Sequence, residues 1–90
     1  MTTKLIVYQL QDYDTDYATI SEYIKKRPDY IKVMERVWIV RTQKTASSIR
    51  TALSQLISSP AKILVVDVTG SNWSSYGIST DRVAWMQESI

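Results

Sequence analysis

Three aspartates near the start of the chain, Asp12, Asp14 and Asp16, alternate with other residues. Carboxylate oxygens at this spacing are ligands for hard cations such as Mg²⁺ and Ca²⁺. A calcium loop of the EF-hand type also needs a glycine at its sixth position and a closing glutamate, and the sequence has neither. The pattern therefore favours a turn followed by an acidic helix start, where carboxylates complement the helix dipole. Asp12 and Asp14 stay open as alternative catalytic residues and Mg²⁺ ligands.

The chain contains neither cysteine nor histidine. Their absence from the sequence excludes disulfides, thiolate nucleophiles, histidine acid–base catalysis and the usual zinc sites. Carboxylates, amines and hydroxyls are the groups left for any catalysis. The first ten residues hold one lysine and a short apolar run, too short for a signal peptide with its cleavage site or for a membrane span. We expect a cytoplasmic protein with no membrane partner.

Basic residues are concentrated between positions 25 and 50, although the net charge of the whole chain is only +2. This stretch carries eight basic residues against two acidic ones, a local charge of +6. Such a surface can bind phosphate backbones without reading sequence, although a solvated surface and the end of a helix dipole give the same pattern. The residues predicted to bind nucleic acid are Lys25, Lys26, Arg27, Arg36, Arg41, Lys44 and Arg50.

Strands and helices alternate along the chain. Short runs rich in β-branched residues predict strands at 4–10, 30–34, 37–42 and 62–69. Capping residues and helical spacing predict a helix from Asp14 or Thr15 to about 26 and a second after the cap Thr45, ended by 58–60. A short final helix begins near 79–80. This order predicts one α/β (α+β) domain over 1–90, a ferredoxin-like βαββαβ fold with a four-stranded antiparallel sheet, helices on one face and strands 1 and 3 central.

The predicted sheet has a second apolar face. Strands 1, 3 and 4 are apolar on both sides, whereas an antiparallel sheet covered on one side alternates apolar and polar residues. Either a second copy of the chain or the final helix must cover that face, and the helix is short for the task. We therefore expect a homodimer. The residues predicted to be buried in the core are Trp38, Val40, Ile49, Leu53 and Val65.

Two aromatic residues, Trp73 and Tyr76, lie in a polar segment between the fourth strand and the final helix. An aromatic residue in a loop has no periodicity that directs it into the core, so both are candidates for contact with a protein partner. The alternative is that they fold back over the uncovered sheet face.

Several segments carry a resemblance that runs over nearly the whole chain. They are IVYQL at 6–10, MERVWIVRT at 34–42, ILVVDVTG at 63–70 and the segment containing Trp85. In this order they resemble the small proteins of the SinR family and the CRISPR-associated Cas2-like proteins. The resemblance implies a ferredoxin-like homodimer that binds double-stranded nucleic acid, and some of its members are metal-dependent nucleases.

The chain departs from this family at Gln9. The family motif on strand 1 is Tyr-Asp-Leu, and the resemblance implies that paired aspartates from two subunits hold the metal. Here the tripeptide is Tyr8-Gln9-Leu10. An amide brings no negative charge to a hard cation. We therefore expect no catalytic residues and no cofactor, and a non-catalytic nucleic-acid-binding or scaffold protein. The alternatives are a Mg²⁺-dependent, toxin-like endonuclease and a protein-interaction module.

Overall fold

A computed structural model describes residues 1–10, 14–57 and 60–90, without the side chains of 14 and 15. Asp12 and Ser58-Ser59 lie outside the described residues. The described residues form a small α+β domain of four strands and three helices in the predicted order. The elements are β1 (Thr2–Leu10), α1 (Asp14–Lys25), β2 (Asp29–Met34), β3 (Val37–Thr42), α2 (Ala46–Leu56), β4 (Ala61–Asp67) and α3 (Thr80–Ser89).

The strands form one antiparallel sheet in the order β2-β3-β1-β4. β1 and β3 are its central strands, as the sequence predicted, and they pair with Ile6 opposite Trp38. On the other side of β1, Ile6 lies opposite Val65 of β4. The connection between β2 and β3 is the two-residue turn Glu35-Arg36, which reverses the chain at the end of the sheet where β1 finishes.

Helices α1 and α2 cover one face of the sheet. Thr45 begins α2 as an N-cap, because its hydroxyl oxygen accepts a 3.0 Å hydrogen bond from the amide of Ser48. One helical turn apart, Ile49 and Leu53 point to the same side, and neither is exposed to solvent. The core of this face consists of Ile6, Tyr8, Leu10, Ile20, Ile24, Trp38, Val40, Ile49 and Leu53. None of the helices in the described ranges is long and apolar enough to cross a membrane.

Four of the five predicted core residues are buried, and Val65 is the exception. Val65 is half-buried because β4 lies at the edge of the sheet, with a neighbouring strand only on the β1 side. The predicted end of β4 at Thr69 is also wrong by two residues. The carboxylate of Asp67 accepts a 2.9 Å hydrogen bond from the amide of Thr69, which turns the chain and ends the strand.

The second face of the sheet is covered in part by α3. The indole of Trp85 donates to the carboxylate of Asp29 (2.9 Å), and the guanidinium of Arg82 donates to the carbonyl of Lys32 (2.7 Å). Near the end of α3, the hydroxyl of Thr3 donates to the carbonyl of Ser89. The contacts with Asp29 and Lys32 hold α3 over β2, and the contact with Thr3 holds the end of α3 against β1. The β4 side stays open: Leu64 is 59% exposed and Val66 is 38% exposed.

Candidate nucleic-acid interface

One end of the sheet gathers most of the predicted basic residues. α1 ends at Lys25, and the chain enters β2 at Asp29, which lies directly opposite Arg41 near the end of β3. Lys44 follows two residues after β3. This end, which we call the basic end, therefore carries Lys25, Lys26, Arg27, Arg41 and Lys44. The side chains of Lys25, Lys26 and Lys44 are exposed, so three amines can reach a phosphate backbone.

Arg27 differs from its two lysine neighbours because it is half-buried. Its guanidinium carbon lies 4.5 Å from the centre of the Tyr23 ring, within the range of a cation–π contact. Its Nε atom is buried and has no hydrogen-bond partner among the described residues. The contact with Tyr23 therefore ties Arg27 to the last turn of α1, and its substitution would disturb packing as well as charge.

Arg41 forms an ion pair within the chain. Its Nη1 atom lies 3.6 Å from Oδ2 of Asp29, and both side chains are partly exposed. The other carboxylate oxygen of Asp29 accepts the hydrogen bond from Trp85. Arg41, Asp29 and Trp85 thus form one polar group that attaches α3 to β2. Asp29 offsets part of the positive charge of Arg41 at the basic end.

Arg50 and Arg36 lie apart from this group to different degrees. Arg50 is exposed on the second turn of α2, about 6 Å along the helix axis from its start beside the basic end. Arg36 occupies the β2–β3 turn, so the length of β3, about 20 Å, separates it from the basic end. The structure does not bring Arg36 together with the other predicted residues, because the hairpin carries it to the opposite end of the sheet.

Trp73 and Tyr76 lie in the segment between β4 and α3, as predicted. Tyr76 is fully exposed, whereas Trp73 is half-buried. Tyr76 therefore presents its whole ring to solvent, and Trp73 combines a contact within the domain with a partly accessible surface. The two residues differ in how much of the ring a partner could reach.

The residues at the metal position implied by the Cas2-like resemblance do not fit a divalent cation. Gln9 is exposed near the end of β1 and offers a neutral amide oxygen. Its partner across the strands is Lys62, an exposed lysine on β4. A positive charge directly opposite the amide repels a cation, so this pair opposes Mg²⁺ binding.

The alternative metal ligands are Asp12 and Asp14 of the aspartate series. Asp12 and the side chain of Asp14 lie outside the described residues. Asp16, the third member of the aspartate series, is buried in α1 with 4% exposure. Within the described ranges, no three acidic side chains come together as a metal-binding group.

A polar cleft on the helix side of the β2–β3 turn went unrecognised in the sequence. It encloses about 330 Å³ and is lined by Tyr8, Tyr17, Ala18, Ser21, Lys32, Glu35 and Arg36. The indole of Trp38 donates a 2.9 Å hydrogen bond to the Tyr8 hydroxyl. Burial raises the pKa of Tyr8, although this hydrogen bond and the nearby charge of Lys32 act in the opposite direction. The alternation of β2 could have revealed Lys32, because it lies opposite Trp38 and shares its face.

Comparison with known proteins adds no family to this description. No family model, no curated protein and no solved structure matches the chain.

Proposed function

We propose that this protein is a non-catalytic homodimer that binds double-stranded nucleic acid in the cytoplasm through the basic end of its sheet. The observation that carries the proposal is the convergence of Lys25, Lys26 and Lys44, all exposed, from two separate parts of the chain. Cations that neutralise phosphates release condensed counterions, which gives affinity without base recognition. Arg50 extends the same surface along α2.

The fold that best accounts for this arrangement is ferredoxin-like. The support is the antiparallel order β2-β3-β1-β4, with α1 and α2 packed on one face. In this fold each βαβ unit encloses a strand of the other unit. The Cas2-like resemblance of the sequence points the same way, and we propose the relationship on those residues. That relationship would account for a small dimeric protein that contacts the phosphate backbone of a nucleic-acid duplex.

The open part of the second face supports a homodimer. A groove of about 410 Å³ crosses it, with Val7, Val37 and Leu64 as its apolar floor. Glu35 and Lys62 lie on its rim, so a twofold axis could bring opposite charges of two copies together. β4 is also an edge strand, and its apolar residues favour burial against a partner chain.

The non-catalytic part of the proposal is supported by Gln9 and Lys62. Their pairing offers one neutral oxygen beside a positive charge where the resemblance would require carboxylates. Histidine and cysteine are absent from the whole sequence, so their catalytic chemistry is unavailable. We propose that duplex binding serves assembly with other molecules, with Trp73 and Tyr76 on a surface for a protein partner.

Duplex binding is tested by fluorescence anisotropy with labelled double-stranded DNA and RNA at low salt. The double variant Lys25→Gln/Lys26→Gln removes two exposed charges and leaves the Arg27–Tyr23 contact in place. We expect a loss of affinity of roughly tenfold or more under these conditions. The matched control Ser54→Glu/Gln55→Glu lowers the net charge equally, but on the exposed last turn of α2.

The control variant Ser54→Glu/Gln55→Glu should lose clearly less duplex affinity than the lysine variant. Equal losses in the two variants would mean that net charge, and not the basic end, governs binding. If no duplex binds even at low salt, the nucleic-acid proposal is wrong, and the protein-interaction reading of Trp73 and Tyr76 takes its place.

Cleavage is tested separately with the same labelled nucleic acids in Mg²⁺ or Mn²⁺. We expect the substrates to stay intact. Cleavage that disappears in Asp12→Asn or Asp14→Asn would contradict the non-catalytic assignment and would identify a metal-dependent endonuclease.

A further inference from the structure

The polar cleft beside the β2–β3 turn has the chemistry of an anion site. It lies on the helix side of the sheet, between α1 and the β2–β3 turn, and Arg36 on that turn is about 20 Å along β3 from the basic end. Its volume of about 330 Å³ is in the range of small-molecule sites. Two cationic residues, Lys32 and Arg36, and three hydroxyl residues, Tyr8, Tyr17 and Ser21, contribute to its walls.

The hydroxyl groups are held by contacts within the domain. The Tyr8 hydroxyl accepts a 2.9 Å hydrogen bond from the buried indole of Trp38. The Tyr17 hydroxyl oxygen accepts a 3.1 Å hydrogen bond from the amide of Leu10. Because backbone and indole donors occupy the oxygens, these groups are oriented before any ligand arrives. A preorganised polar wall lowers the cost of binding.

Arg36 is held at the mouth of the cleft by its backbone and by an aromatic ring. Its φ angle is 65°, in the left-handed region that residues other than glycine seldom adopt. Its guanidinium carbon lies 5.2 Å from the centre of the Tyr17 ring. The guanidinium is a planar fork of five N–H donors, which is the geometry that matches a phosphate.

Lys32 is the second cation, and it approaches from β2. Its Nζ atom lies 5.8 Å from the centre of the Trp38 ring and 3.1 Å from Oε1 of Glu35. Glu35 opposes an anion, but its side chain is 86% exposed, so solvent screens it strongly. The charged residues of the lining leave the cleft with a net positive charge.

We propose that this cleft binds a phosphate group, either as free phosphate or as the phosphate of a mononucleotide. Arg36 and Lys32 supply the charge, and the hydroxyls of Tyr8 and Ser21 define the floor. Apolar ligands are disfavoured by this lining, and a longer polyanion is better matched by the exposed amines of the basic end. The site shares no residue with the basic end, and Arg36 and Arg41 lie near opposite ends of β3.

The test is a titration of the ¹⁵N-labelled protein, with the Trp38 indole N–H resonance as the reporter. Inorganic phosphate, adenosine 5′-monophosphate and adenosine are added separately at constant ionic strength. We expect a saturable shift with phosphate and with the nucleotide but none with adenosine. Tighter binding of the nucleotide than of phosphate would identify a mononucleotide site, and equal affinities would identify a phosphate site.

Arg36→Gly removes the cation and suits the left-handed backbone, so the variant should fold and yet bind about tenfold more weakly or worse. Lys32→Gln should show a similar loss with the turn unchanged. Lys26→Gln, at the basic end, is the matched control and should retain the affinity of the original protein. The proposal is overturned if phosphate and nucleotide produce no saturable shift, or if Lys26→Gln weakens binding as much as the two cleft variants.

Discussion

The two faces of the sheet have similar apolar content but different surroundings. On the face under α1 and α2, Ile6 and Val40 are at most 1% exposed. On the other face, α3 protects the β2 side, where Ile39 is 3% exposed, and leaves Leu64 and Val66 of β4 in solvent. The same strands therefore take part in a complete core on one side and in half of a core on the other. Such an exposed apolar strip marks an interaction surface more often than a stable free surface.

The largest expected difference between the faces concerns stability. Leu53→Ala removes a fully buried side chain beneath α2 and should lower the free energy of unfolding by about 2–5 kcal/mol. Leu64→Ala, the same change on the open face, should cost about 0.5 kcal/mol or less at low protein concentration. Urea unfolding of both variants measures the difference. Equal costs would mean that Leu64 is buried within the monomer.

The second prediction concerns assembly through the open face. We expect the protein to be a dimer with twice the chain mass of 10.4 kDa in light scattering at micromolar concentration. Leu64→Glu places a charge on the groove floor and should give monomers with an intact fold. Leu56→Glu, at a leucine of α2 that is 44% exposed, is the matched control and should stay dimeric. A monomeric original protein would contradict the homodimer and leave α3 as the only cover.

These predictions depend on features that the sequence revealed unequally. The order of elements followed from periodicity and capping, because Ile49 and Leu53 recur at helical spacing after the cap Thr45. The predicted strand order already placed strand 4 at the edge, and Val65 is half-buried because it has a neighbouring strand only on the β1 side. The attachment of α3 depends on pairs far apart in the chain, such as Trp85 with Asp29, which no local pattern indicates.

The candidate site was less predictable than the fold. Clustering in sequence correctly grouped Lys25, Lys26 and Lys44, because α1 and β3 both end at the same end of the sheet. Arg36 is close to these residues in sequence but not in the structure, since a hairpin turn reverses the chain between them. The predicted strands 30–34 and 37–42 already place Arg36 in the connection between them, but the number of charges in a stretch carries no information about where the chain reverses.

A third prediction concerns the β2–β3 turn, whose residues line both the groove and the polar cleft. Arg36 has a φ angle of 65°, which costs residues with a side chain about 1 kcal/mol or more. Arg36→Gly should therefore raise the free energy of unfolding by up to about 1 kcal/mol, in part offset by the greater entropy of glycine in the unfolded chain. Thermal unfolding would measure the change. A clear loss of stability would show that the contact between Arg36 and Tyr17 outweighs the backbone strain.

The smallest expected effect is the pH dependence contributed by Asp67 at the end of β4. Hydrogen bonds from Thr69 lower the pKa of this carboxyl, and the buried amine of Lys4, 3.4 Å away, acts in the same direction. Because the pKa of Asp67 is lower in the folded state than in the unfolded state, its ionised carboxylate stabilises the fold at any pH above the unfolded pKa of about 4. This stabilisation is lost as the pH falls through the pKa of the folded state.

This contribution can be isolated by comparison with Asp67→Asn. The difference in unfolding free energy between the original protein and the variant should be constant from about pH 7 to pH 5 and should shrink below about pH 4. A difference that does not change over this range would mean that the Asp67 carboxylate makes no net contribution to folding.

The most direct test of duplex binding by the basic end is the salt dependence of affinity. The logarithm of the binding constant should fall linearly with the logarithm of salt concentration, with a slope of about −0.9 for each phosphate neutralised. Lys25→Gln/Lys26→Gln should make this slope less steep by about 2 for each basic end that contacts the duplex, and Ser54→Glu/Gln55→Glu should leave it nearly unchanged. A slope near zero in the original protein, or one unaffected by the lysine substitutions, would contradict the proposed interface.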